Sequence, residues 1–249
     1  MQEGSLLVCI EDSIPPVVRA AGELDHGNCA EFEAILTRAI CDAHGTVELA
    51  LDELTFVDSC GLRVLYDAAK NADNAGHKLR IVSMTPHVDH LLAIAGLKEM
   101  FGVGATAETP ISRAHPAATV EHFFEVPGLP DQCRQVRGAV AEFAQKMGFP
   151  VTAIDDIKLA VGEAVSNAVR HGAICDENIQ VKCRNHNSTL SVRLKYPDSE
   201  FDPDSVPQPS YASAPEGGMG IYFMKLTMDR VDYEFKDGYT TLTIEKKLA

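Results

Sequence analysis

The sequence predicts two domains, an α/β layer followed by an α+β sandwich. Three observations carry this. Before residue 102, strand-like and helix-like segments alternate, the signature of a sheet with partly parallel pairing. The stretch Gly102 to His122, "GVGATAETPISRAHPAATVEH", is rich in Ala, Thr, Gly and Pro and has no sustained apolar period, so it reads as a linker. After it, two helical patterns precede a run of strands, the order of helices packed on one side of an antiparallel sheet.

In the first half, "SLLVCIE" and "VVRAAGEL" read as strands. "HGNCAEFEAILTRAICDAH" reads as a helix, with apolar positions at Phe32, Ile35, Leu36 and Ile40. "TVELALDELTFV" is a strand with a turn at its end. "CGLRVLYDAAKNA" spaces Leu62, Leu65, Tyr66 and Ala69 as a helix does, "KLRIVSM" is a strand, and "HVDHLLAIAGL" is a helix. Ser59 falls where the second helix begins. One reading makes it the N-cap, accepting a bond from an orphan backbone N–H. The other makes its hydroxyl a site of chemical modification, with Asp58 presenting it or capping the backbone.

In the second half, "PDQCRQVRGAVAEFAQKMG" and "VTAIDDIKLAVGEAVSNAVRHG" are helices, and "NIQVKCRN" and "TLSVRLKY" are strands. A long Pro/Ser/Asp-rich loop leads to a short helix, "GIYFMKLTM", and a hairpin, "VDYEF-KDG-YTTLTIEK". Along the second helix, positions 157, 161, 164, 165 and 168 form one buried face. Glu163 and Asn167, four apart, share the opposite face, where a lone pair would be solvated surface. Gly217, Gly218 and Gly220 introduce the short helix, whose free N–H groups and positive dipole end can receive phosphates. No Walker A loop and no dinucleotide fingerprint is present.

The 249 residues carry a net charge of −14, which excludes nucleic-acid binding through a general basic surface. No run is long enough to span a bilayer, and the start lacks a leader pattern, so a cytoplasmic protein is expected. The seven cysteines (9, 29, 41, 60, 133, 175, 183) are scattered and never C-x-x-C. They read as small buried residues of a reducing compartment, with no disulfide frame and no zinc site; Cys60 reads as a small helix-start residue.

The combination of E-x-x-x-N-x-x-x-H-G with the glycine turn "EGGMGIYFMKL" resembles the ATP site of the GHKL superfamily, in particular its anti-sigma factor serine kinases, from about Val120 to Ala249. The resemblance implies an α+β GHKL (Bergerat-type) ATPase sandwich that uses ATP and Mg²⁺. It assigns Glu163 as general base, Asn167 as Mg²⁺ ligand, and Gly218 and Gly220 to the phosphates. The family's Asp-x-Gly-x-Gly is replaced by "LKYPDSEFDPDS": Asp198 stands as its Asp, with no glycine until Gly217, and Thr240 as the adenine-side threonine. The blocks "AAGELDHGNCAEFEAIL", "ELALDELTFVDSCGLRVLYDAAK" and "KLRIVSMTPHVDHLLAIAGLKEMF" resemble an α/β STAS domain of the anti-anti-sigma type, from about Ser5 to Gly102. That resemblance implies Ser59 as phospho-acceptor.

The expected organisation is therefore a STAS antagonist domain at 1–104, a linker at 105–119 and a kinase-like domain at 120–249. The resemblances imply a partner-switching regulator whose partners are a sigma factor, STAS antagonist domains in cis or in trans, and a serine phosphatase. They imply a homodimer through the second domain by analogy; the acidic charge and the lack of a spanning run lead to the expectation of no direct contact with nucleic acid or membrane. A second reading stays open: a non-catalytic scaffold whose altered adenine motif leaves protein binding without phosphotransfer.

Overall fold

The computed structural model describes residues 6–104, 121–129, 132–172, 178–197 and 219–248. The chain divides into two units, Met1–Thr109 and Pro110–Ala249. The expected linker at 105–119, together with Asp198, Gly217 and Gly218, lies outside the described residues.

The first unit runs β1 (Leu7–Glu11), β2 (Val17–Leu24), α1 (Cys29–Asp42), β3 (Thr46–Val57), α2 (Ser59–Asn74), β4 (Lys78–Met84) and α3 (Pro86–Ile94), then a 3-10 turn at Lys98–Phe101. The sheet order is β1-β2-β3-β4. β1 is an antiparallel edge on a parallel β2–β3–β4 set. The fully buried Val18, Leu24, Phe32, Leu36, Leu49, Leu54, Phe56, Leu62 and Leu65 form its core; each such side chain contributes about 1.5–3 kcal/mol on leaving water. β3 is one strand of 12 residues. Its polar centre stays extended because β2 and β4 pair with it on either side; there Asp52 also meets Arg19 of β2 at 3.4 Å and the Ser83 hydroxyl of β4 at 2.5 Å. Parallel pairing places Leu24 beside Val57. The loops that follow β2 and β3 therefore open on one rim, and Ser59 stands there.

The second unit runs β5 (Glu121–Val126), α4 (Gln132–Met147), α5 (Val151–Gly172), β6 (Ile179–His186), β7 (Thr189–Pro197), α6 (Met219–Thr227), β8 (Arg230–Lys236) and β9 (Tyr239–Lys247). The sheet order is β5-β6-β7-β9-β8, antiparallel throughout. β5 is a correction to the sequence reading, which ended the linker at His122 and assigned no strand to "FFEV". Of its six residues only Val126 is buried, so no apolar alternation marks it. Pairing holds it instead: Glu121 meets Lys182 at 3.0 Å and Arg184 at 3.2 Å, and Glu125 accepts from Gln180 at 3.0 Å. Both tight hairpins turn through two successive positive-φ residues, Asn187 and Ser188 (50° and 60°) and Asp237 and Gly238 (54° and 77°), the twist that two-residue loops favour.

α5 lies in the middle. Every residue from Leu159 to Val169 is buried, with α4 and α6 packed beside it and β7 and β9 beneath. The face that carries Glu163 and Asn167, solvated surface if the pair stood alone, is buried, and α6 packs over Glu163. Lys246 on β9 ties this layer to the sheet: its ammonium reaches Asp156 of α5 at 2.9 Å and also donates to the Thr227 carbonyl at the end of α6.

Candidate functional site

Two sites take shape, one in each unit. In the first, Asp58 caps α2: Oδ1 accepts from the Gly61 N–H at 2.9 Å. Oδ2 accepts from the His26 N–H, also at 2.9 Å, so one carboxylate binds the loops after β2 and β3 together. Ser59 is the first helical residue and is half-buried. The cap role offered for Ser59 thus belongs to Asp58. Burial pushes the Asp58 carboxyl above the ordinary carboxylate range, against the two N–H bonds that favour its charge. Gly61 lets α2 start against the strand ends, since a Cβ there would stand 2.7 Å from Leu24 Cγ. The first turn of α2 is consequently fixed in position.

In the second unit, Glu163, Ser166 and Asn167 are 6%, 8% and 6% exposed. Three polar side chains inside the buried and otherwise apolar stretch 159–169 cost stability unless their polar atoms find partners. Glu163 lies against the start of α6, where a Cβ on Gly220 would stand 2.3 Å from Oε2. Only glycine admits the carboxylate at this place. Tyr233 of β8 closes the other side. Burial raises its hydroxyl well above the ordinary tyrosine value, the nearby Asn167 amide acts the other way, and the Glu163 charge adds to the rise. Glu163, Asn167, Gly220 and Tyr233 thus form one buried polar cluster between α5, α6 and β8.

Thr240 is fully buried on β9, paired in register with Tyr196 and Phe235. It alternates in phase with Leu242 and Ile244, hence on the helix-covered side.

The comparisons with known proteins follow this division. Residues 8–111 match the STAS domain family, and residues 126–246 match the family described as histidine kinase-like ATPase domain. The second match extends to curated kinases. Over 127 residues the chain is 33% identical to the serine-protein kinase RsbW of Bacillus velezensis, covering 47% of this chain and 79% of that protein. The chain belongs to the RsbW serine-protein kinase family. The anti-sigma F factor of Clostridium perfringens is 31% identical over 119 residues, covering 45% of this chain and 85% of that protein. An anti-sigma factor antagonist from Mycobacterium paratuberculosis resembles the chain at 21% identity, with 41% of this chain, 87% of that chain and a TM-score of 0.37. This RsbW-family chain therefore carries a STAS domain and a GHKL-type ATPase domain in one polypeptide.

Sequence reasoning brought Glu163, Asn167 and Gly220 together and missed Tyr233 and Ser166. Ser166 sits one residue before Asn167 with no motif of its own. Tyr233 is one alternating position in an ordinary strand, and only the fold brings it to Asn167. Among the described residues no helix is long and apolar enough to cross a membrane, which says nothing of a β-barrel. No group of three or more His, Cys, Asp or Glu among them could hold a metal ion.

Proposed function

We propose that this RsbW-family chain is a partner-switching regulator of a sigma factor, in which the C-terminal unit transfers the γ-phosphoryl group of ATP to a STAS-domain serine. Ser59 is the acceptor within this chain, and the corresponding serine of a separate antagonist is the acceptor in trans. The observation that carries this reading is the apposition of Glu163 to Gly220, with Asn167 one turn along α5. It sets a carboxylate and a carboxamide beside a helix N-terminus suited to phosphates.

In the step itself, Glu163 takes the proton of the serine hydroxyl. The serine oxygen bonds to the γ-phosphorus as the bond to the β–γ bridging oxygen breaks, and ADP leaves. Asn167 suits Mg²⁺ because its side-chain oxygen is a hard, neutral donor; it would hold the ion, which would supply charge neutralisation for the transferred group. Asp198, Gly218 and Thr240 complete the nucleotide site in this proposal, Asp198 and Thr240 on the adenine side. Most of the catalytic gain comes from positioning, which a buried, fully packed α5 provides.

Phosphorylation adds about −1.5 to −2 charges at Ser59. Beside the buried Asp58 and within a docking surface, that charge costs several kcal/mol, roughly enough to release a partner. Unphosphorylated, the STAS unit occupies the kinase unit and frees the sigma factor; a serine phosphatase resets the switch. Residues 105–119 act as the tether between units 1–104 and 120–249, at a local concentration on the order of millimolar. The kinase unit pairs as a homodimer, and the cytoplasm is the setting.

The test is mass spectrometry of the purified chain after exposure to ATP and Mg²⁺, with a separate STAS domain also offered. Phosphate on Ser59 or on the offered domain, lost in Glu163→Gln, is the expected result. No phosphate anywhere, with partner binding intact, refutes the enzyme reading in favour of a scaffold.

A further inference from the structure

At the rim away from Ser59, where the β1–β2 and α1–β3 connections lie, the first unit holds a cavity of about 980 Å³. That is the size of a small-molecule site. One wall is the β1–β2 connection, with Ile10, Ile14 and Pro15; another is the last turn of α1, with Ala39 and Ala43 beside it. Backbone bonds hold both walls in place. The Glu48 N–H donates to the Pro16 carbonyl at 2.9 Å, the Lys78 N–H to the Gly45 carbonyl at 3.2 Å, and the Ser13 hydroxyl to the Pro15 carbonyl at 2.8 Å. Ile14 is wholly exposed among these lining side chains, an apolar surface that an entering molecule would take out of water.

The charge of the cavity is lopsided. Glu11, Asp12, Asp42 and Glu48 line it, against the guanidinium of Arg80 and the imidazole of His44. Arg80 stands opposite Glu48 in the β3–β4 register, and Arg19 meets Glu11 at 3.1 Å. Asp42 meets Arg38 at 3.6 Å, but these side chains are 74% and 81% exposed, where an ion pair contributes little. Asp12 has no ionic partner among the described residues. The end of α1 adds to the same sign. Its last turn holds Asp42 and no basic residue, and its C-cap Ala43 is extended, so the negative end of the helix dipole meets another negative charge where a cation would be favoured. Apolar walls under a negative potential repel anions and suit an apolar body that carries positive charge.

We propose that this cavity is a binding site for organic amines, with the ammonium group near Asp42, Glu48 and the end of α1, and the apolar body against Ile10, Ile14 and Ala39. The site gives the first unit a small-molecule binding function separate from Ser59. It does not rest on the phosphotransfer reading.

The test follows the amide spectrum of the isotope-labelled full chain as n-hexylammonium chloride is added at about 0.15 M ionic strength. Hexanol and hexanoate serve as the neutral and anionic counterparts. Saturable shifts at Ile14, Ala43 and His44 are expected with hexylammonium and absent with hexanoate, and hexanol should bind roughly tenfold more weakly. Asp42→Asn combined with Glu48→Gln should weaken hexylammonium by roughly tenfold. Ile14→Ser, at a position too exposed to matter for folding, should weaken it several-fold. Hexanol bound as tightly as hexylammonium, or an affinity indifferent to the paired change, overturns the charge assignment. Indifference to Ile14→Ser overturns the apolar wall. Shifts that never saturate, or that appear equally at exposed acids elsewhere such as Asp67 and Glu142, overturn the site itself.

Discussion

Replacing Gly220 with alanine tests the geometry on which the proposed phosphotransfer depends. A Cβ at this position would stand 2.3 Å from Glu163 Oε2, 3.2 Å from its Cδ and 3.4 Å from its Cβ. Non-bonded atoms settle near 3.5 Å, so the carboxylate must retreat by about 1 Å. Its own Cβ is already at contact distance, so the shift falls on the carboxylate end through a change of side-chain torsion. A displacement of about 1 Å in a catalytic group costs on the order of 10²-fold in rate. Stability moves little, because alanine in the first turn of α6 recovers about 1 kcal/mol of helix propensity against the local crowding. The assay is single-turnover transfer of labelled phosphate to a STAS domain, with nucleotide binding measured separately. A fall of about 10²-fold in rate is expected at saturating ATP. Wild-type transfer in Gly220→Ala would show that Glu163 does not act from the place where the glycine admits it.

Tyr233→Phe keeps the ring and removes the hydroxyl that stands near Asn167 and Glu163; the Mg²⁺ concentration at half-maximal transfer should rise several-fold, roughly the loss of one polar contact, while nucleotide binding in chelator stays as it was. Lys246→Ala breaks the link from β9 to Asp156 and to the end of α6; in this half-buried setting about 1–3 kcal/mol should be lost, read as a lower urea midpoint for the second unit. Asp58→Ala removes the α2 cap and the His26 contact, a loss of about 1–2 kcal/mol, measured by amide exchange at Gly61. The pH dependence of that loss has a definite sign. The folded carboxyl is raised above its unfolded value of about 3.9, so the native state holds the proton more tightly. The advantage of wild type over Asp58→Ala is therefore largest at low pH and narrows as pH rises from about 4 through the raised value; a margin that widens instead refutes the direction assigned to Asp58.

Much of the architecture was legible because its signals are local. The 3.6-residue period of α2 and α4, the alternation in β6 and β7, and the Asp-Gly turn at 237–238 each speak within a short window. β5 was not legible. With one buried residue in six, it is a strand because Lys182, Arg184 and Gln180 wait for it on β6, and no window of sequence contains that fact. The same limit explains α5. Its apolar spacing announces one buried face, but the cover over Glu163 comes from α6, more than fifty residues later. The Glu163–Gly220 meeting was accessible only through the motif resemblance, since spacing alone leaves the pair on a wet surface. Ser59 shows a finer confusion. A hydroxyl residue at a helix start suggests a cap, yet the acid before it takes that role, because its two oxygens satisfy two N–H groups where a hydroxyl satisfies one.

The parallel β2–β3–β4 arrangement has a consequence for how the first unit tolerates change. Glu11 pairs with Val17, Val17 with Glu48, and Thr46 with Lys78, so the connections at Ser13–Pro16, His44–Gly45 and Gly76–His77 gather at the rim away from Ser59. Evolution, or an engineer, can lengthen, nick or rejoin the backbone on that side and leave Ser59 undisturbed. On the Ser59 side a single inserted residue would break the clamp of Asp58 on both loops. The unit has a permissive end and a forbidding one, and the strand directions decide which is which.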